Sequence, residues 1–187
     1  MSDRFALSPH CTSHPVNLDA LLTQFYAPGD RDSIGVFREV ESLPDPLSGL
    51  LDHEHHMTVT VETYHGGPVD VEVLRAARSG DWYSREILLR RSRDHAVVQY
   101  GIVRMLTTAV RPEVWARIES KTVPLGRVLI EHGVLRQVQL CRLWNIEPGP
   151  KLASFLDLDP QTPVAGRTAL IHCNHQPAIE LLEVVRP

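Results

Sequence analysis

The stretch Trp82-Tyr83-Ser84-Arg85-Glu86-Ile87-Leu88-Leu89-Arg90-Arg91, a turn at Arg93-Asp94, and the run from Ala96 to Leu106 decide the fold. Two runs of strand length, rich in aromatic and branched residues and joined by a few polar ones, predict an antiparallel hairpin. Upstream, Val69, Val71 and Val73 alternate with Asp70 and Glu72, a half-buried strand that meets the hairpin through the turn Ser79-Gly80-Asp81. Met57 to Tyr64, with its Val and Thr residues, reads as a further strand before the turn signal Gly66-Gly67-Pro68. Downstream, Pro112–Ser120 and Pro124–His132 read as helices that start near prolines. Arg136–Ile146 is a strand, Leu152–Leu156 a short helix, and Val164–Cys173 with Pro177–Val185 a final hairpin about Asn174-His175-Gln176.

At the N-terminal side, Leu18, Leu21, Leu22 and Phe25 follow the cap residue Asn17 at helical spacing. Leu47, Leu50 and Leu51 mark a second helix within residues 45–56. The expected class is α+β, a single antiparallel sheet with helical segments covering one face. Residues 1–187 are expected to form a single domain, with residues 1–16 as a loose arm.

Composition fits that class. The chain has 187 residues, 43% hydrophobic and 22% charged, with a net charge of -4. A negative chain with two lysines, Lys121 and Lys151, is a poor start for nucleic-acid binding, which needs clustered basic residues. Cys11, Cys141 and Cys173 are odd in number and far apart, so reduced thiols in a cytoplasmic protein are expected. The N-terminus shows no apolar signal-peptide run, and no stretch approaches the ~20 apolar residues of a membrane span.

Strand parity supplies the first functional clue, because residues i and i+2 share a face. Arg85 falls with Tyr83, Ile87 and Leu89; Arg104 with Val98, Tyr100, Ile102 and Leu106; Glu183 with Ile179, Leu181 and Val185. A charge on an apolar face must be paired or reach water. Either these residues pair with one another, or arginines and a carboxylate line a cavity for a small anion.

Asp52-His53-Glu54-His55-His56 invites a metal reading, but only His53 and His56 stand at a helical i, i+3 spacing, and no third ligand is assigned. An exposed polar helix end fits better, and no metal is expected. There is no GxSxG elbow, and neither Cys141 nor Cys173 has a basic neighbour on its own strand face.

Several segments resemble the chorismate lyase family, in order along residues 45 to 187. Gly49-Leu50-Leu51 through His56-Met57-Thr58 resembles the family's leucine-rich helix and its Met-Thr stretch. Tyr83-Ser84-Arg85-Glu86-Ile87-Leu88-Leu89 resembles its Tyr-x-x-Arg-Glu-Ile-Leu-Leu strand, one residue shorter between Tyr and Arg. Lys121-Thr122-Val123-Pro124-Leu125-Gly126-Arg127 resembles its Lys-Thr-Pro-Leu-Gly-Arg loop, with Val123 inserted. Gly166-Arg167 through Pro177 and Leu182-Glu183 resemble its C-terminal strand, turn and Leu-x-x-Glu ending.

The resemblance implies one antiparallel sheet with helical flaps over a buried pocket. It implies a cofactor-free lyase that eliminates pyruvate from chorismate to give 4-hydroxybenzoate, an aromatic quinone precursor. Arg85 would then bind the ring carboxylate, Glu183 the ring hydroxyl, with Leu125 and Gly126 in the closing loop and Met57 lining the pocket. Parity alone nominates Arg104 for the enolpyruvyl carboxylate. The alternative is a non-catalytic module for an aromatic carboxylate, like the effector domains of bacterial repressors. Those follow a DNA-binding unit, and the roughly 45 residues before the matched region hold one clear helix where a helix-turn-helix needs two.

Overall fold

The computed structural model describes residues 16–186. Seven antiparallel strands form one sheet: β1 (Gly35–Val40), β2 (Val69–Ser79), β3 (Trp82–Arg91), β4 (Val97–Leu106), β5 (Arg136–Pro148), β6 (Val164–Cys173) and β7 (Gln176–Val185). Their order is β1-β5-β6-β7-β4-β3-β2. Two meanders, β2-β3-β4 and β5-β6-β7, join where β4 pairs with β7, and β1 adds to the edge at β5. The sequence hairpin at residues 82–106 is thus half of the sheet centre.

The helices are α1 (Leu18–Leu22), α2 (Leu47–Leu51), α3 (Met57–His65), α4 (Pro112–Glu119), α5 (Leu125–Glu131) and α6 (Pro150–Leu156). They cover both faces, not the single face expected. Leu21 and Leu22 of α1, with Leu152 and Leu156 of α6, pack on Leu88, Tyr100, Ile102, Leu182 and Val184. The other face meets α2 and α3 through Leu50, Leu51, Met57 and Val61. It meets α4 and α5 through Val114, Ile118, Leu125, Val128 and Leu129. This double cover explains why β3, β4, β6 and β7 are buried almost continuously, where an antiparallel sheet with one wet face would alternate.

Two expectations are corrected. Met57–Tyr64 is helix α3, not a strand. Its buried residues Met57, Thr58 and Val61 lie on one helical face, and packing overrides the β preference of Val and Thr. The supposed turn glycines stop that helix. Gly66 is left-handed at φ 67°, and the Gly67 N–H donates to the Glu62 carbonyl at 3.0 Å. Strand β1 carries no expectation from the sequence, being short and half exposed at the sheet edge. The expected arm at residues 1–16 lies outside the described residues except for Val16, which is buried beside α1.

On the α1/α6 face, Glu86 is fully buried and holds three elements together. Its carboxylate accepts from the Tyr26 hydroxyl, from the Tyr100 hydroxyl at 2.7 Å and from Arg75 Nε at 2.7 Å. Burial and the carboxylate push both phenols well above their usual pKa, so they stay donors. Removing one partner of a buried ionic network typically costs about 3–5 kcal/mol, and a single hydrogen bond about 1 kcal/mol. Urea unfolding of Glu86→Ala should therefore show a loss of about 3–5 kcal/mol, and Tyr100→Phe about 1–2 kcal/mol. Tyr26→Phe should add little in the Glu86→Ala background, because its acceptor is already gone.

Candidate functional site

The cavity lies on the α2–α5 face, between the two helical flaps. Its floor follows from strand register, because directly paired residues share a face. One row runs Ile87, Gly101, Glu183, Arg167 across β3, β4, β7 and β6. The row to one side runs Arg85, Val103, Leu181, and the row to the other Leu89, Gln99, Val185. The roof is His55, His56, Met57 and Thr58 at the start of α3, with Pro124, Leu125 and Gly126 at the start of α5. The cavity is small, about 40 Å³, where one water needs roughly 10–15 Å³.

Met57, Arg85, Leu125, Gly126 and Glu183 all line this one cavity. Arg104 does not. It pairs with Ser84 and Glu180 across the sheet, on the face opposite Arg85. There Arg104 Nη1 meets Glu180 Oε2 at 2.9 Å, and the guanidinium lies 4.0 Å from the centre of the Trp82 ring. Parity grouped Arg104 with apolar residues correctly, but both faces are apolar, so the grouping did not say which one.

Arg167, which parity reasoning passed over, is the second arginine of the cavity and has no exposed surface. Its Nε donates to Glu183 Oε2 at 2.7 Å. Its Nη1 donates to the carbonyls of Leu51 at 3.3 Å and His53 at 2.7 Å, and its Nη2 to that of His55 at 3.0 Å. One buried guanidinium thus neutralises Glu183 and pins the segment linking α2 to α3. The signal was present, since Arg167 alternates with Ala165, Ala169 and Ile171.

The histidines serve the roof. His53 Nε2 faces the Leu50 carbonyl at 2.8 Å, and His53 Nδ1 accepts from the His55 N–H at 3.1 Å. His56 Nε2 accepts from Arg136 Nε at 2.7 Å. Burial, then the neighbouring arginines, pull both imidazoles down to a pKa of about 4, so both are neutral at pH 7. His53 and His56 lie between α2 and α3, not on one helical turn, and each points to its own protein partner. Among the described residues no three His, Cys, Asp or Glu side chains are grouped as metal ligands. Gly126 lets the flaps meet: a Cβ there would come 3.0 Å from Thr58 Oγ1 and 3.4 Å from His56 Cβ. Arg127 closes the same seam by an ion pair with Glu62.

Arg85 is different. It is 1% exposed, and its Nε and Nη1 are buried with no hydrogen-bond partner. Burial lowers its pKa from the ordinary value, and no carboxylate among the described residues pairs with it. With Arg167 and Glu183 cancelling and His53 and His56 neutral, Arg85 is left as an uncompensated positive charge at the cavity. The start of α3 adds to it, because no side chain caps its first turn.

No family model matches the sequence, and no curated protein is similar to it. Solved structures are similar in fold. The effector domain of PhnF from Mycobacterium smegmatis superposes with a TM-score of 0.51 at 12% identity, over 71% of this chain and 88% of that one. PhnF from the same organism gives 0.50 at 11% identity, over 70% of this chain; the chain spans 63% of that PhnF chain. The ligand-binding domain of a chain assigned to the GntR family of transcriptional regulators in Bordetella bronchiseptica gives 0.47 at 15% identity, over 63% of this chain and 85% of that one. The expected chorismate pyruvate-lyase is corrected by this result. What the chorismate lyase-like motifs led to is a fold, and the solved structures that share it here are regulator effector domains. Catalysis, pyruvate release and a place in aromatic or quinone-precursor synthesis go with that correction. Within the site, the carboxylate expected to hold a ring hydroxyl is taken by Arg167, and the second expected anion ligand is on the far face. Among the described residues no helix is long and apolar enough to cross a membrane. The chain has the α+β, single-sheet fold of these effector domains, with a charged, roofed cavity at its centre.

Proposed function

We propose that this chain is a non-catalytic binding module for a small aromatic carboxylate, held with its anionic group on Arg85. One observation carries the reading: a guanidinium buried in an apolar cavity with two of its nitrogens unpartnered. An isolated buried charge is costly, and a carboxylate is the planar anion that accepts two parallel N–H bonds from one arginine. The uncapped start of α3 lies at the same cavity and favours the same sign of charge. Around Arg85 the walls are Ile87, Leu89, Val103, Val138, Ile171 and Leu181, which suit a ring. Met57, Leu125 and Gly126 form the roof over it, and the Glu183–Arg167 pair fixes the floor. A ring is larger than the closed cavity, so binding requires the starts of α3 and α5 to part and close again. Effector domains of this fold give the reading its context.

Calorimetric titration with benzoate and 4-hydroxybenzoate should give saturable binding at one site. Removing a charge-assisted, buried contact costs about 2–4 kcal/mol, so Arg85→Met should weaken both by roughly 30- to 1000-fold. Chorismate should be recovered unchanged after incubation with the protein. Release of pyruvate would overturn the reading, as would benzoate affinity that survives Arg85→Met.

Without a ligand the two cavity arginines should behave oppositely. Arg85→Met removes an uncompensated buried charge and should raise the unfolding free energy of the empty protein by about 1–4 kcal/mol. Arg167→Met strands Glu183 and frees three carbonyls, and should lower it by about 3–5 kcal/mol. Thermal unfolding in ligand-free buffer compares the two.

A further inference from the structure

We infer that Gln99 is a second, neutral pole of the cavity, selecting ligands that carry an uncharged hydrogen-bonding group at the end remote from the carboxylate; this rests on the anion site proposed for Arg85. Gln99 lines the same cavity and is 2% exposed, and its Oε1 is buried with no hydrogen-bond partner. Buried polar groups in folded proteins are nearly always paired, so an unpaired one aimed into a cavity marks where a ligand atom belongs.

The register fixes its place relative to Arg85. Gln99 pairs with Leu89, four residues along β3 from Arg85. At ~3.3 Å per residue the two positions are separated by about 13 Å of backbone, and both side chains line the cavity. The row between theirs runs Ile87, Gly101, Glu183, Arg167, so on β3 and β4 the floor between them is apolar, with Glu183 flanking it from β7. Gly101 keeps that floor flat; a Cβ there would sit 3.2 Å from the Leu182 carbonyl and 3.4 Å from Ile87 Cγ1. The only other polar groups on the floor, Glu183 and Arg167, are committed to each other and to the roof. The cavity therefore reads as cation, a flat middle of Ile87 and Gly101 flanked by the mutually neutralised Glu183–Arg167 pair, and carboxamide. Its complement is a planar monocarboxylate with a hydroxyl, amine or carbonyl at the far end. A carboxamide both donates and accepts, so it holds any of these, whereas a second carboxylate would meet no cation at that end.

The test uses matched probes on the full chain: 4-hydroxybenzoate against 4-methylbenzoate, and 4-(hydroxymethyl)benzoate against 4-ethylbenzoate, each by calorimetry. An apolar pocket alone prefers the methyl and ethyl compounds. A site with a buried partner rejects the analogue that leaves it unpaired. The wild-type protein should bind the hydroxyl member of at least one pair tenfold or more tightly than its apolar mate. Gln99→Met, of similar length, should reverse that preference while keeping affinity for the apolar mate. It should also raise the thermal midpoint of the empty protein. A hydroxyl preference that persists in Gln99→Met, equal affinities in the wild type, or a lowered midpoint would each overturn the role of Gln99 while leaving Arg85 standing. If no benzoate binds the wild type, or if Arg85→Met binds all four as well as the wild type does, the anion site itself fails and this inference with it.

Discussion

A sheet covered by helices on both faces leaves the charges of its central strands without water, and the rest of the structure is organised around that constraint. Four such charges are buried on the central strands, Arg85, Glu86, Arg167 and Glu183. Glu86 is answered by two tyrosines and Arg75. Arg167 is answered by Glu183 and three carbonyls. Arg104, nearer an end and only half-buried, meets Glu180 and the Trp82 ring. The answers to Glu86 and Arg167 draw in segments from elsewhere: Tyr26 from beyond α1, the 51–55 segment from between α2 and α3. Arg85 alone of the four has no answer within the described chain. The fold neutralises the other buried charges with its own groups and leaves Arg85 beside a cavity, the asymmetry on which the proposed anion site rests.

The same constraint decides what could be read from the sequence. The strands at 82–91, 97–106, 164–173 and 176–185 were legible because buried strands are dense in Val, Ile and Leu between clear turns. Residues 57–65 were not, because Met-Thr-Val-Thr-Val has the composition of a strand, and only its packing against α5 and the left-handed Gly66 make it a helix. Parity found Arg85 and Glu183, yet it placed Arg104 with them although the two arginines face opposite ways. Parity sorts residues within a strand. It cannot align one strand with the next, and here Arg85 opposes Val103 while Arg104 opposes Ser84. Gln99 interrupts the row of Gly101, Val103 and Met105, but it carries no charge and parity weighed charges alone, so it took the register to bring it to the cavity.

The resemblance to the chorismate lyases behaved in the same divided way. Its motifs led to the right sheet and to a set of residues that do meet around one space. They could not carry the chemistry across, because a motif records which residues frame a cavity and not what each is engaged with. Glu183 occupies the expected position, but its carboxylate faces an arginine instead of open space. Two proteins can share the frame and differ entirely in what is free to act inside it.

Arg167 holds the roof through the carbonyls of Leu51, His53 and His55, groups that every residue type possesses. The anchor therefore reads the path of the chain and is largely indifferent to its side chains. Asp52 and Glu54 could be exchanged while the segment stayed pinned in the same course. The roof above the cavity is in this sense an interchangeable part on a fixed mounting, open to evolutionary revision without renegotiating the fold beneath it.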